Sequence, residues 1–448
     1  MQDHDFGNDH NGYNVGLQDG REGDAGSAYV QLKYGLLKRL LGELDPAKIH
    51  RRGVEKAREM VEEAANQLIM AEGVALPRPL RLRLVQELLD EILGYGPIEP
   101  LLNDPTISEI MVNAPDEVYI ERDGVLVEAD VSFQDNNHIM SIVEKIIGPL
   151  NKRIDETSPM VDARLPAGYR VNVIIPPLTV KGPSITIRKF FNKRVGVDDL
   201  VSMGTITPEV SDFLAACVEH RMNIIISGGS GAGKTTLLNA LSSYIPQRER
   251  VVTIENPAEL KLDRRHVVSL ETRPPSIEGK HEVTQRELVI NALRMRPDRI
   301  IIGEVRGGEA FDMLQAMNTG HEGSICTVHA NTPRDALARI ENMVLMAGFD
   351  LPVRAIREQI ASGINLVVQI SRMRDGKRRI LHVSEVAGME QQVITMQDIF
   401  VFEQTGSIHD GQIIGKLAPT GIRPQFMDRL EEDGVHLDPR IFRRAERW

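Results

Sequence analysis

An α/β fold built on a parallel sheet follows from two features of residues 222–448, and a third sets apart what precedes them. Residues 223 to 236 read Asn-Ile-Ile-Ile-Ser-Gly-Gly-Ser-Gly-Ala-Gly-Lys-Thr-Thr, an apolar strand that runs into a glycine-rich loop and then a helix. Strand–loop–helix units then repeat, with further strands expected at 251–255, 299–305 and 324–329. Alternating units of this kind place helices on both faces of a parallel sheet. Upstream, the period is first helical and then that of short strands, which predicts a helical layer and a separate α+β layer.

Taken in order, residues 1–30 are rich in Asp, Gly, Asn and His and poor in aliphatics, so a disordered tail is expected there. Residues 31–97 carry Leu36, Leu37, Leu40, Leu41, Val54, Ala57, Val61, Ala64, Leu68, Ile69, Leu84, Leu88 and Leu89 at helical spacing, a small helical bundle closed by Tyr95-Gly96-Pro97. Residues 98–190 read as an α+β domain. Its strands lie near 109–113, 118–121, 160–165, 169–175 and 184–189, with an amphipathic helix over 138–150. A linker is expected over 191–205, and residues 206–448 form the parallel-sheet domain. Within it, Arg374-Asp375-Gly376 joins two strands between 364 and 386 as a hairpin, and the last 60 residues mix short strands with a basic C-terminal helix.

The whole chain narrows the function classes. Its 448 residues allow two or three domains with sizeable cores. A net charge of −11, from 53 basic and 64 acidic side chains, with 4% aromatics, argues against a generic nucleic-acid binder. Cys217 and Cys326 are too few for a disulfide framework or a zinc site, and their apolar neighbours suggest buried thiols in a reducing compartment. No charged-then-apolar leader and no membrane-length apolar run is seen, so membrane association is expected through partners or the surface.

The chemistry centres on the glycine-rich loop. Gly228, Gly233, Lys234 and Thr235 fill the pattern G-x-x-x-x-G-K-[ST]. Across Gly228, Gly229, Ser230, Gly231, Ala232 and Gly233 the backbone can curl so that its N–H groups face phosphate oxygens. Lys234 offers a cation to the β- and γ-phosphates, and Thr235 a hydroxyl to Mg²⁺. The helix that begins at Thr235 and Thr236 adds the positive end of its dipole. The loop predicts binding of a nucleoside triphosphate, taken as ATP with Mg²⁺.

Hydrolysis needs further groups at the C-terminal ends of neighbouring strands. Ile300-Ile-Ile-Gly-Glu304 has the shape of a metal-holding strand, with Gly303 where an aspartate is usual and Glu304 as the acid that acts on Mg²⁺. Thr253-Ile-Glu255-Asn-Pro-Ala-Glu259 offers two carboxylates, of which Glu255 is the candidate for activating water and Glu259 a weaker second. His329, at a strand end before an N-capping Thr332 and Pro333, is placed to donate to a γ-phosphate, and His321 is a lesser candidate. Arg294, Arg296 and Arg306 flank the Glu304 strand, while Arg164, Arg170 and Arg188 lie in the α+β domain. Guanidinium forks suit phosphate, although surface ion pairing accounts for most single arginines.

Long stretches of the chain resemble the secretion-superfamily ATPases that power type II and type IV secretion and type IV pili. They include Asp104-Pro-Thr-Ile-Ser-Glu-Ile-Met-Val-Asn113, Arg164-Leu-Pro-Ala-Gly, Ser184-Ile-Thr-Ile-Arg-Lys189, Leu270-Glu-Thr-Arg-Pro-Pro275, Ala292 to Arg306, Ala316-Met-Asn-Thr-Gly-His321 and Thr327 to Ala336. Val393-Ile-Thr-Met-Gln-Asp-Ile-Phe400 and Pro419-Thr-Gly-Ile-Arg-Pro424 resemble the pilus-assembly branch of the tight-adherence (Flp) system. The resemblance implies a RecA-like P-loop NTPase domain preceded by a PAS-like α+β domain and the helical bundle. It assigns Walker A to 228–235, the Walker B glutamate to Glu304, the Asp box to 255–259 and the His box to 320–329.

The resemblance also implies a cytoplasmic homohexamer, peripheral to the inner membrane, that acts on an inner-membrane pilus platform with no specific nucleic acid. Arg164, Arg170 and Arg188 would then sense phosphate from the same or a neighbouring subunit. Two positions depart from the family pattern: Asn256 stands in the Asp box where an aspartate is usual, and Cys326 replaces a small polar residue. A type II or type IV secretion motor, a nucleic-acid translocase and a nucleotide-switched scaffold that never turns over stand as alternatives.

Overall fold

Apolar residues at three- and four-residue spacing between Leu36 and Leu89 become three packed helices, α1 (Glu22–Glu43), α2 (Val54–Ala71) and α3 (Arg78–Leu93). Leu36, Leu40, Val61, Ala65, Leu84 and Leu88 meet in their shared core. The structure, a computed structural model, describes residues 22–43, 53–74, 76–122, 124–150, 152–189, 195–275, 280–407 and 412–444. Helix α1 starts at Glu22, inside the stretch expected as a tail, and continues through the amphipathic turns from Tyr29 onward. The rest of that expected tail lies outside the described residues.

The chain divides into two units, residues 1–191 and 192–448. After a short helix α4 (Glu99–Asn103), the first unit forms a six-stranded antiparallel sheet. Its strands are β1 (Ile107–Ala114), β2 (Glu117–Arg122), β3 (Val125–Glu128), β4 (Met160–Arg164), β5 (Arg170–Ile174) and β6 (Ser184–Arg188), in the order β3-β2-β1-β6-β5-β4. Helix α5 (Asn136–Ile147) is capped by the Asp135 carboxylate, which accepts from the His138 N–H at 2.8 Å. Its apolar face, Ile139, Ile142, Val143 and Ile146, packs with Ile110, Val112, Val171 and Ile187 of the sheet.

The second unit begins earlier than the sequence suggests. Residues expected as the end of a linker form α6 (Val197–Ser202), whose Leu200 is buried in the second unit's core. The linker reading fails over Val197–Ser202, because Val197, Leu200 and Val201 supply an apolar face that a linker lacks. Thr207 then caps α7 (Pro208–Glu219), with proline at its first position.

Next come β7 (Ile224–Ser227), α8 (Lys234–Ser242), β8 (Val251–Glu255), β9 (Val267–Glu271), α9 (Gln285–Ala292), β10 (Arg299–Ile302), α10 (Glu309–Asn318), β11 (Ile325–Val328), α11 (Pro333–Met346) and α12 (Val353–Gly363). The chain continues as β12 (Leu366–Arg372), β13 (Arg378–Glu390), β14 (Val393–Ser407), β15 (Ile413–Pro419) and α13 (Met427–Glu432). These strands form a nine-stranded sheet, β15-β14-β13-β12-β7-β11-β10-β8-β9. It is parallel from β12 to β9 and antiparallel from β12 to β15, so β7 sits centrally between β11 and β12.

Both faces of this sheet are covered, which is why the parallel strands are continuous apolar runs. Ile224 and Ile226 of β7 join one core with Phe213, Leu237 and Leu241, while Ile225 joins the other with Met313, Ile340 and Ile360. The edge strand β9 is only half buried, so its pattern is weaker in the sequence. The C-terminal part also differs from expectation. Strands β13 and β14 run 13 and 15 residues, with register shifts near Gly388 and Gly406 that break their apolar alternation. Helix α13 spans six residues of mixed charge, and the basic stretch beyond it forms only a 3₁₀ turn at Pro439–Phe442, while residues 445–448 lie outside the described residues.

Candidate active site

The loop from Gly228 to Gly233 leaves β7 at the C-terminal edge of the sheet and ends where α8 begins. Its glycines answer specific constraints. A Cβ on Gly228 would stand 2.3 Å from the Ile370 carbonyl oxygen of β12, so the chain can turn there only as glycine. Gly231 and Gly233 have φ values of 67° and 97°, in the left-handed region. Ala232 is buried, Gly229 and Ser230 are exposed, and Thr235 and Thr236 are half buried in the first turn of α8.

Lys234 is buried at the base of this loop. Its Nζ donates to the carbonyls of Gly228 at 3.1 Å and Gly229 at 2.9 Å, and lies 3.4 Å from each ring nitrogen of His329. His329 follows β11, the strand next to β7, and its Nε2 is 2.9 Å from Glu304 Oε1. Glu304 follows β10, and its Oε2 accepts from Arg306 at 2.7 Å. Burial favours the protonated Glu304 carboxyl, but Arg306, His329 and Lys234 outweigh it and hold the group below its ordinary range. Burial, with the Lys234 charge, lowers the His329 imidazole below its usual value despite Glu304. The lowered basicity favours a neutral ring, whose unprotonated nitrogen can accept from the Lys234 ammonium.

Glu255 ends β8 and is 2% exposed. Its Oε2 accepts from the backbone N–H groups of Glu259 at 2.7 Å and Leu260 at 2.9 Å. Oε1 is buried with no hydrogen-bond partner among the described residues. Burial pushes the carboxyl up to about 7, with the Glu259 and Glu271 charges adding to the rise and the two backbone N–H groups opposing it. One carboxylate is thus held ionised and another sits near neutrality, a separation suited to dividing metal binding from proton transfer.

Gly303, the residue that stands where an aspartate is usual, has a geometric reason. A Cβ on it would lie 2.8 Å from Glu255 Cγ, and Thr327 Oγ1 donates to its carbonyl at 2.6 Å. The space an aspartate would need is already filled by Glu255. Gly303→Asp is therefore expected to lower thermal stability by about 1–3 kcal/mol through overpacking. An unchanged melting temperature would show that the space is not filled.

Not every candidate converges here. Arg294 and Arg296 are exposed before β10, at the N-terminal edge of the sheet, and only Arg306 of the three flanking arginines reaches Glu304. His321 precedes β11, and so lies at the opposite end of that strand from His329. Parallel strands carry their C-terminal residues to one edge, which separates the two histidines that the sequence sets eight residues apart. Arg164, Arg170 and Arg188 belong to the sheet of the first unit, where Arg170 lies 3.5 Å from Asp162 and Arg188 lies 3.8 Å from Glu109. Asn256 is exposed and Cys326 is fully buried.

Three supporting residues were not read from the sequence. Glu309 Oε1 accepts from the N–H groups of Arg306 at 2.7 Å and Gly307 at 3.0 Å, which fixes the loop that carries Glu304. Gln369 of β12 donates to the carbonyls of Ala330 at 3.2 Å and Asn331 at 3.1 Å, just after His329. Arg378 of β13 donates to the Gly231 carbonyl at 3.0 Å. Only Glu309 had a local signal, a carboxylate in the first turn after paired glycines; the others depend on which strand neighbours β7.

Among the described residues no cluster of three or more His, Cys, Asp or Glu side chains forms a metal cage. The Thr235 hydroxyl and the ionised Glu304 are hard oxygen donors of the kind Mg²⁺ takes when phosphates and water complete its shell.

Residues 91–406 match the family described as type II/IV secretion system protein. Residues 29–93 match the N-terminal domain of type II secretion system protein E. The conjugal transfer protein TrbB of Rhizobium radiobacter is 35% identical over 311 residues, 67% of this chain and 90% of its own. The type IV secretion system protein VirB11 of Bartonella henselae is 33% identical over 326 residues, covering 64% of this chain and 90% of its own. The crystal structure of the VirB11 ATPase of Brucella suis, in complex with sulphate, aligns with a TM-score of 0.36 at 31% identity over 64% of this chain and 94% of that one. No helix among the described residues is long and apolar enough to cross a membrane.

Proposed function

Because this chain belongs to the type II/IV secretion system protein family, we propose that it is a motor ATPase that hydrolyses Mg-ATP to drive an inner-membrane assembly. The observation that carries this reading is the convergence of Lys234, Glu304, His329 and Glu255 on the C-terminal edge of adjacent strands around one phosphate-binding loop. The loop N–H groups and Lys234 hold the triphosphate. When bound, Mg²⁺ neutralises charge on the β- and γ-phosphates, and Thr235 and Glu304 are the residues that would hold it. Glu255 accepts a proton from the attacking water through the unpartnered Oε1. His329, 2.9 Å from Glu304 and close to Lys234, reports an added γ-phosphate to the loop it begins.

In the finer reading the protein is the homohexameric, cytoplasmic motor of a tight-adherence pilus, peripheral to the inner membrane and working on its platform proteins. Arg164, Arg170 and Arg188 would sense nucleotide phosphate, in the same or a neighbouring subunit. The motif 393–400 and the segment 419–424 support the pilus branch. The match of residues 29–93 to the N-terminal domain of type II secretion system protein E favours a second reading, a type II secretion motor. Deletion in the native host separates the two: loss of surface pili supports the first, and loss of secreted proteins with pili intact supports the second.

Activity itself is tested by steady-state hydrolysis of purified wild type and Glu304→Gln, with mass measured on the same samples. The expected result is turnover in a hexamer-sized wild type, reduced about a hundredfold or more in the variant. Tight ATP binding without turnover by the hexamer would replace the motor with a nucleotide-switched scaffold.

A further inference from the structure

The nucleotide loop is shaped from outside by the β12–β13 hairpin. At its start, the Ile370 carbonyl oxygen of β12 lies 2.3 Å from where a Cβ on Gly228 would sit. At its middle, Arg378 Nε donates to the Gly231 carbonyl at 3.0 Å. At its end, the Arg378 stem lies over Gly233, its Cδ 3.0 Å from where a Cβ would sit, with Ile370 Cδ1 at 3.7 Å. Three glycines of the loop therefore meet one hairpin.

That hairpin is itself firmly held. Arg379, the next residue after Arg378, makes a buried two-point ion pair with Asp375 at 2.9 and 2.8 Å. Asp375 also accepts from the Ile413 N–H at 3.1 Å, Arg379 donates to the Ile413 carbonyl at 3.1 Å, and the Arg379 guanidinium lies 5.7 Å from the Phe402 ring centroid. The turn is thus tied to both β14 and β15.

We infer that Arg378 is a positioning residue for the nucleotide loop, and that it links nucleotide affinity to the C-terminal antiparallel strands. The peptide between Gly231 and Ala232 has its carbonyl on the outside, bonded to a cation, and its N–H on the other side. A charge-assisted bond to that carbonyl fixes the peptide plane and makes the Ala232 N–H a stronger donor, because bonds in series polarise one another. In this structure the Ala232 N–H makes only a 3.4 Å contact to the Gly229 carbonyl, which a phosphate oxygen can displace.

This inference rests on the loop's being a nucleotide site, so the test includes Lys234→Ala beside Arg378→Ala, Arg378→Gln and Arg378→Lys. Calorimetric titration with Mg-ADP and steady-state ATP kinetics are the readouts. Arg378 is exposed, so its truncation leaves the core intact. Arg378→Ala is expected to raise the Kd for Mg-ADP and the KM for ATP about tenfold, with kcat within about twofold. Arg378→Gln, which keeps the stem but not the charge, should follow the alanine variant, and it decides the matter if the alanine variant does not fold. Arg378→Lys should recover most of the affinity, since an ammonium reaches the same carbonyl.

A wild-type Kd and KM in Arg378→Ala, or a loss confined to kcat, overturns the inference. If Lys234→Ala loses binding while the Arg378 variants keep it, only the positioning role fails. If Lys234→Ala also binds as wild type, the nucleotide site itself is elsewhere.

Discussion

Lys234→Ala is expected to have no measurable ATPase activity, a loss of about a thousandfold or more. The ammonium is buried and already held by two loop carbonyls, Gly228 and Gly229, so its position is set before nucleotide arrives. Phosphoryl transfer to water leaves little covalent work for the protein, and the rate depends on charges placed where phosphate charge develops. Removing this cation takes away the main positive group at the loop, and also one of the charges that keep Glu304 ionised. The variant should remain folded, because an alanine suits the first turn of α8. Steady-state phosphate release checks the outcome, and activity near that of wild type would remove the site assignment.

Glu255→Gln should separate catalysis from stability. Turnover is expected to fall by about 10²–10⁴-fold, the usual contribution of a positioned general base, while Mg-ADP binding is retained. In the wild type, kcat/KM should rise with pH through about 7, because Glu255 must be ionised to accept a proton. The effect on stability has the opposite sense. The carboxyl's folded pKa is raised from 4.5 to about 7, so folding is favoured when Glu255 is protonated and that advantage is lost as pH rises through 7. Glutamine cannot ionise, yet its carbonyl can accept from the same backbone N–H groups. Glu255→Gln is therefore expected to melt higher than wild type at pH 8, with the difference vanishing below about pH 4.5. Equal melting temperatures at pH 8 would show that the carboxyl is not strained by burial, and a flat pH–rate profile would remove it as the base.

These expectations depend on two different kinds of information. The loop from Gly228 to Thr235 was legible because its chemistry is local: a strand, a tight backbone curl and a helix start fix two glycines, a lysine and a threonine at set spacing. Glu304 and Glu255 were legible because each follows an apolar strand, and parallel strands deliver their ends to a common edge. The same rule sets His329 and His321 at opposite ends of β11. Gly303 was visible as a departure, but its cause was not. The Glu255 side chain that fills its space comes from β8, a neighbouring strand 48 residues earlier in the chain.

The errors have physical causes as well. Composition over a short window points to a linker around Leu200, yet that side chain is buried in the second unit's core, and packing orders residues whose own propensity is weak; residues 22–28, expected within the tail, belong to α1. The long strands β13 and β14 were under-read because bulges near glycines interrupt the alternation that marks a strand.

By itself the sequence determined the fold class, the phosphate-binding loop and the two acids that end its neighbouring strands, because each is written in a run of adjacent residues. Tertiary structure alone decided that Glu255 is buried with an unpartnered oxygen, that Glu304, His329 and Lys234 form one chain of contacts, and that Arg378 holds the loop from outside. Those are contacts between strands whose order in the sheet is not their order in the chain, and burial and distance across that sheet set both the charge states and the geometry.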